Sequence, residues 1–258
     1  MQHARENYIG LQTIVIKEVI RFSRVWTQSL LPSVITTLLY FVIFGHVVGQ
    51  RIGMMGDVSY INYIAPGLIM MAVITNAYSN VSTAFYLAKF QRNVDEMLIS
   101  PMPNWVILVG FVVSGVLRGI LVALLVTIVT LFFTHLQVRH VWIVITSVLL
   151  SAILFSLAGF INAVYAKKFD DIAFIPTFVL TPLTYFGGVF YSIDLLPGVW
   201  QKISHLNPIL YLVNAFRYGM LGVSDVRIGV ALGLIIVAVF GLYFFALHLL
   251  RKGTGLRN

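Results

Sequence analysis

Six apolar runs, at about 28–49, 60–84, 105–134, 140–165, 172–190 and 226–250, punctuate the 258-residue chain. A helix rising about 1.5 Å per residue needs about 20 residues to cross a hydrocarbon core of about 30 Å. Every run reaches that length, the fifth only barely. Inside a bilayer the backbone has no water to bond to, so a run of this kind crosses as a helix whose peptide groups satisfy one another. With 59% hydrophobic and 10% charged residues, the composition also lies far from that of a soluble globular protein. The chain reads as an all-α polytopic membrane protein of six transmembrane helices. One membrane domain occupies 28–250, preceded by an N-terminal segment, 1–27, and followed by a short tail, 251–258. The absence of cysteine excludes a disulfide framework, thiolate metal sites and a cysteine nucleophile. The opening MQHARENYIG starts no h-region with a cleavage site, so no removable signal peptide is expected.

The positions of the charges report orientation more than their total of +8 does. Alternate loops put Arg5, Lys17, Arg21, Arg24, Lys89, Arg92, Lys167, Lys168, Arg251, Lys252 and Arg257 on one side, and Arg51, Arg139, Lys202, Arg217 and Arg227 on the other. Eleven against five places both termini in the cytoplasm. An even number of spans fits that parity.

Ahead of the first run, Lys17, Arg21, Arg24 and Gln28 recur at helical spacing opposite Ile14, Val15, Val19, Phe22 and Trp26. This predicts an amphipathic helix along the cytoplasmic interface, its basic edge toward anionic headgroups. LAKFQRNVDEMLISPMP, between the second and third runs, predicts a short cytoplasmic helix with Phe90, Val94, Met97 and Leu98 on one side and Arg92, Asp95 and Glu96 exposed. Pro101 and Pro103 stop it. A solvated face is one reading of those charges; a surface that a soluble motor subunit grips is the other. In the third run Arg118 carries a charge into a span, where it must find a partner, reach water or snorkel to the near interface. Gly110, Ser114, Gly115 and Gly119 give the same run a small-residue side suited to close helix contact. Pro176 and Pro182 predict a kinked fifth span, loosened at its end by Gly187 and Gly188.

FGGVFYSIDLLPGVWQKISHLNP, 186–208, is too apolar for a soluble loop and too broken for a span. Asp194 is positioned to cap one short helix, and Asn207, with Pro208 in the first turn, a second that ends at Gly222. Half-helices of about 12 to 15 residues are too short to cross. A single crossing here would also reverse the last span and put Arg251, Lys252 and Arg257 outside. An external re-entrant helix pair between the fifth and sixth spans satisfies both length and charge, leaving Arg217 in need of a partner near the outer interface.

No GxxxxGK[ST], HExxH or GxSxG occurs, so the chain holds neither a phosphate-binding loop nor a familiar hydrolase motif. His135 and His140 lack a third ligand, and no metal site is expected from them. Asp170 and Asp171, beside Lys167 and Lys168, suit local charge pairing better than acid–base catalysis. The basic charges are too dispersed for nucleic acid.

With QRNVDEMLISPMP at 91–103, FxGGxFYxxxLP from 186 and HLNPxxYxxxxFRYGxxG to 222, the chain resembles the type 2 permeases of the ABC transporter superfamily over nearly its whole length. The resemblance implies a transport subunit rather than an enzyme: a homodimer in a bacterial inner membrane, paired with two copies of a separately encoded cytoplasmic ATPase that holds ATP and magnesium. No cofactor is implied for this chain. Arg92, Asp95, Glu96 and Pro101 would then form the coupling segment on which the ATPase pushes. Gly187, Gly188, Asn207, Pro208 and Arg217 would belong to the external gate. Tyr185, Phe186, Phe190, Tyr191 and Tyr211 are candidates for lining a path along the dimer interface for an amphiphilic, lipid-linked, glycan or drug-like cargo, although aromatics at span ends also anchor to headgroups. The rival class, a stand-alone channel or ion-coupled carrier, is disfavoured because the six runs carry hardly any carboxylates for ion coupling.

The orientation has a direct check. Cysteines introduced at Trp200 and Lys202 are expected to react with a membrane-impermeant thiol reagent from outside; labelling only from the cytoplasm would overturn it.

Overall fold

A computed structural model describes residues 2–55, 58–134, 136–253 and 255. The chain folds as a helical bundle. α1 (Gln2–Arg24) leads into α2 (Trp26–Tyr40), which continues through a π-helical stretch (Phe41–Val48) into α3 (Gly49–Ile52). A two-residue antiparallel ribbon, β1 (Met54–Met55) with β2 (Val58–Ser59), then turns the chain into α4 (Tyr60–Phe90). α5 (Asn93–Ile99), α6 (Asn104–Leu131) and α7 (Val141–Tyr165) follow. Next come α8 (Phe169–Ile175), a π-helical stretch (Pro176–Leu180) and α9 (Thr181–Phe186), then α10 (Gly198–His205), α11 (Pro208–Leu221) and α12 (Ile228–Lys252). Among the described residues five helices are long and apolar enough to cross a membrane: Trp26–Ile52, Tyr60–Phe90, Asn104–Leu131, Val141–Tyr165 and Ile228–Lys252. They match five of the six expected runs to within a few residues.

The fifth run differs in form. Instead of one kinked span at 172–190, a helix in three pieces covers 169–186, about 27 Å at 1.5 Å per residue. Pro176 opens the wide middle turn, and the Thr181 hydroxyl donates to the Pro176 carbonyl at 2.9 Å, five residues back. The wide turn answers the backbone donor missing at Pro182 without ending the helix. Asp171 accepts from the backbone N–H groups of Lys167 and Lys168 at 2.8 and 2.9 Å, which holds its carboxyl below the usual carboxylate range. The local pairing expected at this turn is thus made through the backbone as well as through charge.

α4 is the axis of the bundle. It is the least apolar of the five long helices, yet 83% of its most apolar window is buried, against 12% for Trp26–Ile52. Polar side chains cannot face lipid cheaply, so the helix that carries Asn76, Asn80, Ser82 and Tyr78 is enclosed by the others. α6 and α7 flank it, and α11 lies against its N-terminal half. The small residues of α6 do what their spacing predicts. A Cβ on Gly115 would collide with Ser156 and Val81, one on Gly119 would stand 3.2 Å from the Ala152 Cβ, and one on Gly110 would meet Ile14 of α1 at 2.7 Å. Gly159 brings α7 still closer, since a Cβ there would run into the backbone carbonyl of Tyr78.

α1 is amphipathic as expected, with Ile14 and Phe22 buried, Lys17 and Arg24 exposed, and Trp26 exposed at the start of α2. Arg21 departs from the expected basic edge, because it turns inward together with the buried Glu18. Two sequence expectations, on His135 and on Arg257, fall outside the described residues.

Because the α4 backbone is rigid, Gly159→Val cannot be absorbed by a side-chain shift. It is expected to destabilise the protein by about 1–3 kcal/mol, read as a lower thermal midpoint in detergent, whereas the same change at Gly229, where a Cβ meets nothing, should be close to neutral.

Candidate functional site

At the C-terminal end of α4, Gln91 and Arg92 turn the chain into α5. Arg92 takes a left-handed conformation, φ 61°, the one described non-glycine residue to do so. Its carbonyl accepts from the Asp95 N–H at 3.1 Å. Asp95 and Glu96 occupy the first turn of α5 and are exposed, where carboxylates complement the helix dipole. Val94 is buried beneath them, with Met97 and Leu98 half-buried. Phe90 does not join this apolar side. It and Ile99 stand exposed, at 74% and 86%, while Pro101 is exposed just beyond the helix end at Ser100. The segment from Phe90 to Ile99 therefore presents two carboxylates and two exposed apolar side chains.

Lys89 fixes the base of this segment. Its Nζ donates to the carbonyls of Ala163, Val164 and Ala166, at 3.3, 2.9 and 2.6 Å, and so caps the C-terminus of α7. Sequence reasoning assigned Lys89 only to a cytoplasmic charge count.

At the opposite end of α4 the chain from Phe186 to Gly222 is tied in by Arg217, which is fully buried. Its Nη2 donates to the Gly188 carbonyl at 2.6 Å and its Nε to the Tyr63 carbonyl at 3.3 Å, while the guanidinium lies 3.9 Å from the centroid of the Tyr63 ring. Tyr63 in turn donates its hydroxyl to Asp225 at 3.4 Å, and Asp225 also accepts from the Ile193 N–H at 3.3 Å. Arg217 thus finds the partner that its position demanded, but it is a set of carbonyls and a ring rather than an acid. Gly188, at φ +69°, supplies the left-handed turn that exposes its carbonyl to Arg217.

Asn207 caps α11 as expected: its Oδ1 accepts from the Ile209 N–H at 3.0 Å, with Pro208 at the first helical position. Its Nδ2 donates to the Leu183 carbonyl at 2.6 Å, tying α11 to the broken helix. Gly222 closes α11 at φ +77°. The first of the two short helices departs from expectation. Asp194 does not cap it. Ser192 accepts from the Asp194 N–H at 3.4 Å to open a single 3₁₀ turn, and α10 begins only at Gly198, after Pro197, and runs 8 residues.

The five aromatic candidates divide. Tyr185 and Phe190 stack at 5.5 Å, and with Tyr40 and Phe44 of the first long helix they form a cluster in which the Tyr40 and Tyr185 hydroxyls are 3.2 Å apart. Tyr191 and Phe190 line an open cavity of ≈ 530 Å³ with Tyr60, Tyr63, Asp194 and Asp225. Phe186 stacks on Trp200 instead, at 5.4 Å, and the Tyr211 hydroxyl donates to the His205 carbonyl at 2.7 Å, so both hold α10 in place.

Arg118 does not snorkel. Its Nη2 donates to the Ser29 carbonyl at 2.9 Å and to Asn76 Oδ1 at 3.1 Å, and its Nη1 to Asn80 Oδ1 at 3.4 Å. The two asparagines, four residues apart in a helical apolar run, were a legible signal for one polar face on α4. Among the described residues no group of three or more His, Asp or Glu is placed to hold a metal ion.

Among the described residues, five apolar helices of spanning length, with a charged helix at one end of the bundle and short helices at the other, define a membrane-embedded protein. The chain belongs to the ABC-2 type transporter family, whose model matches residues 10–221. It is 52% identical over 252 residues to the inner membrane transport permease YadH of Escherichia coli strain K12, covering 97% of this chain and 98% of that protein. It is 22% identical to nodulation protein J of Neorhizobium galegae and 23% identical to that of Rhizobium leguminosarum bv. trifolii, in each case over 92% of this chain and 90% of the relative. The chain is accordingly a permease, a transport subunit; hydrolysis of ATP belongs to a partner.

Asn207 permits its two bonds to be separated. Asn207→Ala removes both the cap and the tie to Leu183 and is expected to cost about 2 kcal/mol, the upper range for a lost cap. Asn207→Ser keeps a cap acceptor but is too short to reach Leu183, so its thermal midpoint should fall between those of Asn207→Ala and the unsubstituted protein.

Proposed function

We propose that this chain is the membrane-spanning subunit of an ATP-driven exporter that moves an amphiphilic, lipid-linked, glycan or drug-like cargo outward across a bacterial inner membrane. The observation that carries the reading is that the buried helix α4 joins the two candidate sites. Arg217 grips its N-terminal end at Tyr63, and α5 follows directly from its C-terminal end, which Lys89 locks to α7. A push on α5 is therefore delivered to a rigid buried helix whose far end holds the gate.

Six crossings with both termini cytoplasmic fit the same geometry. α7 ends beside Lys89, whereas Gly188 and α11 lie beside Tyr63, so the chain over 169–186 runs from one end of the bundle to the other. The broken helix supplies the sixth crossing. α10 and α11 then form the external re-entrant pair, with Gly187, Gly188, Asn207, Pro208 and Arg217 as its hinges and fastenings. The domain limits follow as 1–27, 28–250 and 251–258.

In this assembly two permeases pair with two ATPases that hold ATP and magnesium. The ATPase docks on Arg92, Asp95, Glu96 and Pro101, and the exposed Phe90 and Ile99 add apolar contact. The first long helix buries little of itself within one chain, and the broken helix leaves Phe174 and Phe178 bare, which suits a path for cargo between two copies. In this reading Tyr185 and Tyr191 line that path with Phe190 packed behind them, and Phe186 and Tyr211 serve it by fixing α10. The relative's location in an inner membrane supports the same location here.

Isolation of the permease from its native membrane should bring an ATPase subunit with it. Asp95→Lys with Glu96→Lys should lower the permease-dependent ATP turnover about ten-fold while leaving the thermal midpoint within a few degrees. Undiminished turnover would remove α5 as the docking helix, and transport that persists without ATP would remove the exporter reading altogether.

A further inference from the structure

Arg118 belongs to a cluster that no part of the exporter mechanism above requires. Glu18 and Arg21 come from α1, Asn76 and Asn80 from α4, Ser114 and Arg118 from α6, and Ser29 and Ser33 from α2. Arg21 donates through Nε to Glu18 at 2.7 Å and through Nη2 to both the carbonyl and Oδ1 of Asn80, at 3.2 and 3.0 Å. Arg118 donates to the same Asn80 Oδ1, to Asn76 and to the Ser29 carbonyl. The amide nitrogens complete the set: Asn76 donates to Ser33 Oγ at 2.7 Å, and Asn80 to Ser114 Oγ at 3.2 Å.

Two features of this cluster bear on what it does. Most of its donors and acceptors are spent on one another, with Arg118 Nε buried and unpaired, so the cluster acts chiefly as a fastening between helices. It also holds two guanidinium groups and one carboxylate in a low-dielectric region, joined through neutral amides. Pulling the helices apart would strip both guanidinium groups of the acceptors they find on α2 and α4, Arg21 remaining partly exposed, a penalty larger than that of losing an ordinary hydrogen bond. The apolar contacts agree: Gly110 of α6 admits Ile14 of α1, and Gly10 admits Met102, in the turn between α5 and α6.

We propose that this cluster is a permanent bolt that makes α1, α2, α4 and α6 a single rigid body throughout the transport cycle. The amphipathic helix is then more than a float on the membrane surface. It is a lever fused to the buried axis, and any load on α1 reaches α4 without a sliding step. Arg118, Asn80 and Arg21 are positioning residues in this scheme, touching neither cargo nor nucleotide. The proposal rests on the reading that an ATPase drives the chain.

A cross-link decides it. The chain has no cysteine, so Ile14→Cys with Gly110→Cys gives a unique pair. The Ile14 Cβ lies 3.0 Å from the position of a Cβ at Gly110, and a disulfide, with Cβ atoms about 3.5–4.5 Å apart, needs only a small adjustment. In the permease–ATPase complex in lipid nanodiscs, oxidation of this pair should change ATP turnover less than about two-fold relative to the reduced pair. Arg118→Met in the same background should lower turnover about ten-fold when reduced, with the ATPase still copurifying, and oxidation should return most of it. Stalling on oxidation that a reductant reverses would show that α1 must part from α6, and would overturn the proposal. So would an Arg118→Met complex as active as the parent. If Arg118→Met fails to assemble, the cross-link in the Arg118 protein still decides the matter alone. A parent complex with no permease-dependent ATP turnover would instead count against the ATPase-driven reading.

Discussion

The bundle depends on one constraint: a helix that carries Asn76, Tyr78, Asn80 and Ser82 through a hydrocarbon slab must be enclosed. Each unsatisfied polar group in lipid costs several kcal/mol, so α4 is stable only where other helices supply its partners. Burying it sets the arrangement of everything else. α6 and α7 approach closely because glycines and serines face it, α11 closes the N-terminal half, and the more apolar helices are left with outer faces that lipid or another subunit can cover. Apart from Trp26–Ile52, which is the least buried, mean hydropathy ranks these helices in the reverse order of their burial, as expected where the surrounding medium is itself apolar.

The same constraint explains what the sequence disclosed and what it hid. Run lengths fixed five of the long helices to within a few residues, since a bilayer admits few solutions, and the caps at Asn207 and Gly222 were readable because each depends on a local backbone rule. Asp194 misled for the complementary reason. Its spacing suits a cap, but Ser192 lies closer to the turn, and Pro197 restarts the chain later. The long-range ties escaped. Nothing near Arg217 in sequence points to the carbonyls of Tyr63 and Gly188, and nothing near Lys89 points to the end of α7. Arg118 could be flagged as a charge in a span, but a sequence gives no direction for a side chain, and only packing chose Asn76 and Asn80 over the headgroups.

Irregular backbone buried within a protein needs a satisfied setting, and the stretch from Gly187 to Asn207 shows how one is made. Arg217 is well suited to the task, since its planar fork reaches two carbonyls at once while its face rests on a ring. A lysine would offer a point charge and no stacking surface. The Asp225 carboxylate stands one residue removed, linked through the Tyr63 hydroxyl, so the buried cation is balanced without a direct ion pair. Such a fastening holds the loop in place without an acid beside the guanidinium.

If the α1–α4–α6 side of the bundle is rigid, conformational change must come from elsewhere. The broken helix over 169–186 packs lightly on its neighbours, carries its wide turn at Pro176 and connects to the bundle chiefly through Asn207 and the aromatic cluster around Phe190. α10 is shorter still and is held by Tyr211, Trp200 and one 3₁₀ turn. Motion concentrates where buried contacts are few. A wide helical turn can redistribute its hydrogen bonds over a small distance, whereas a charged cluster opens completely or not at all.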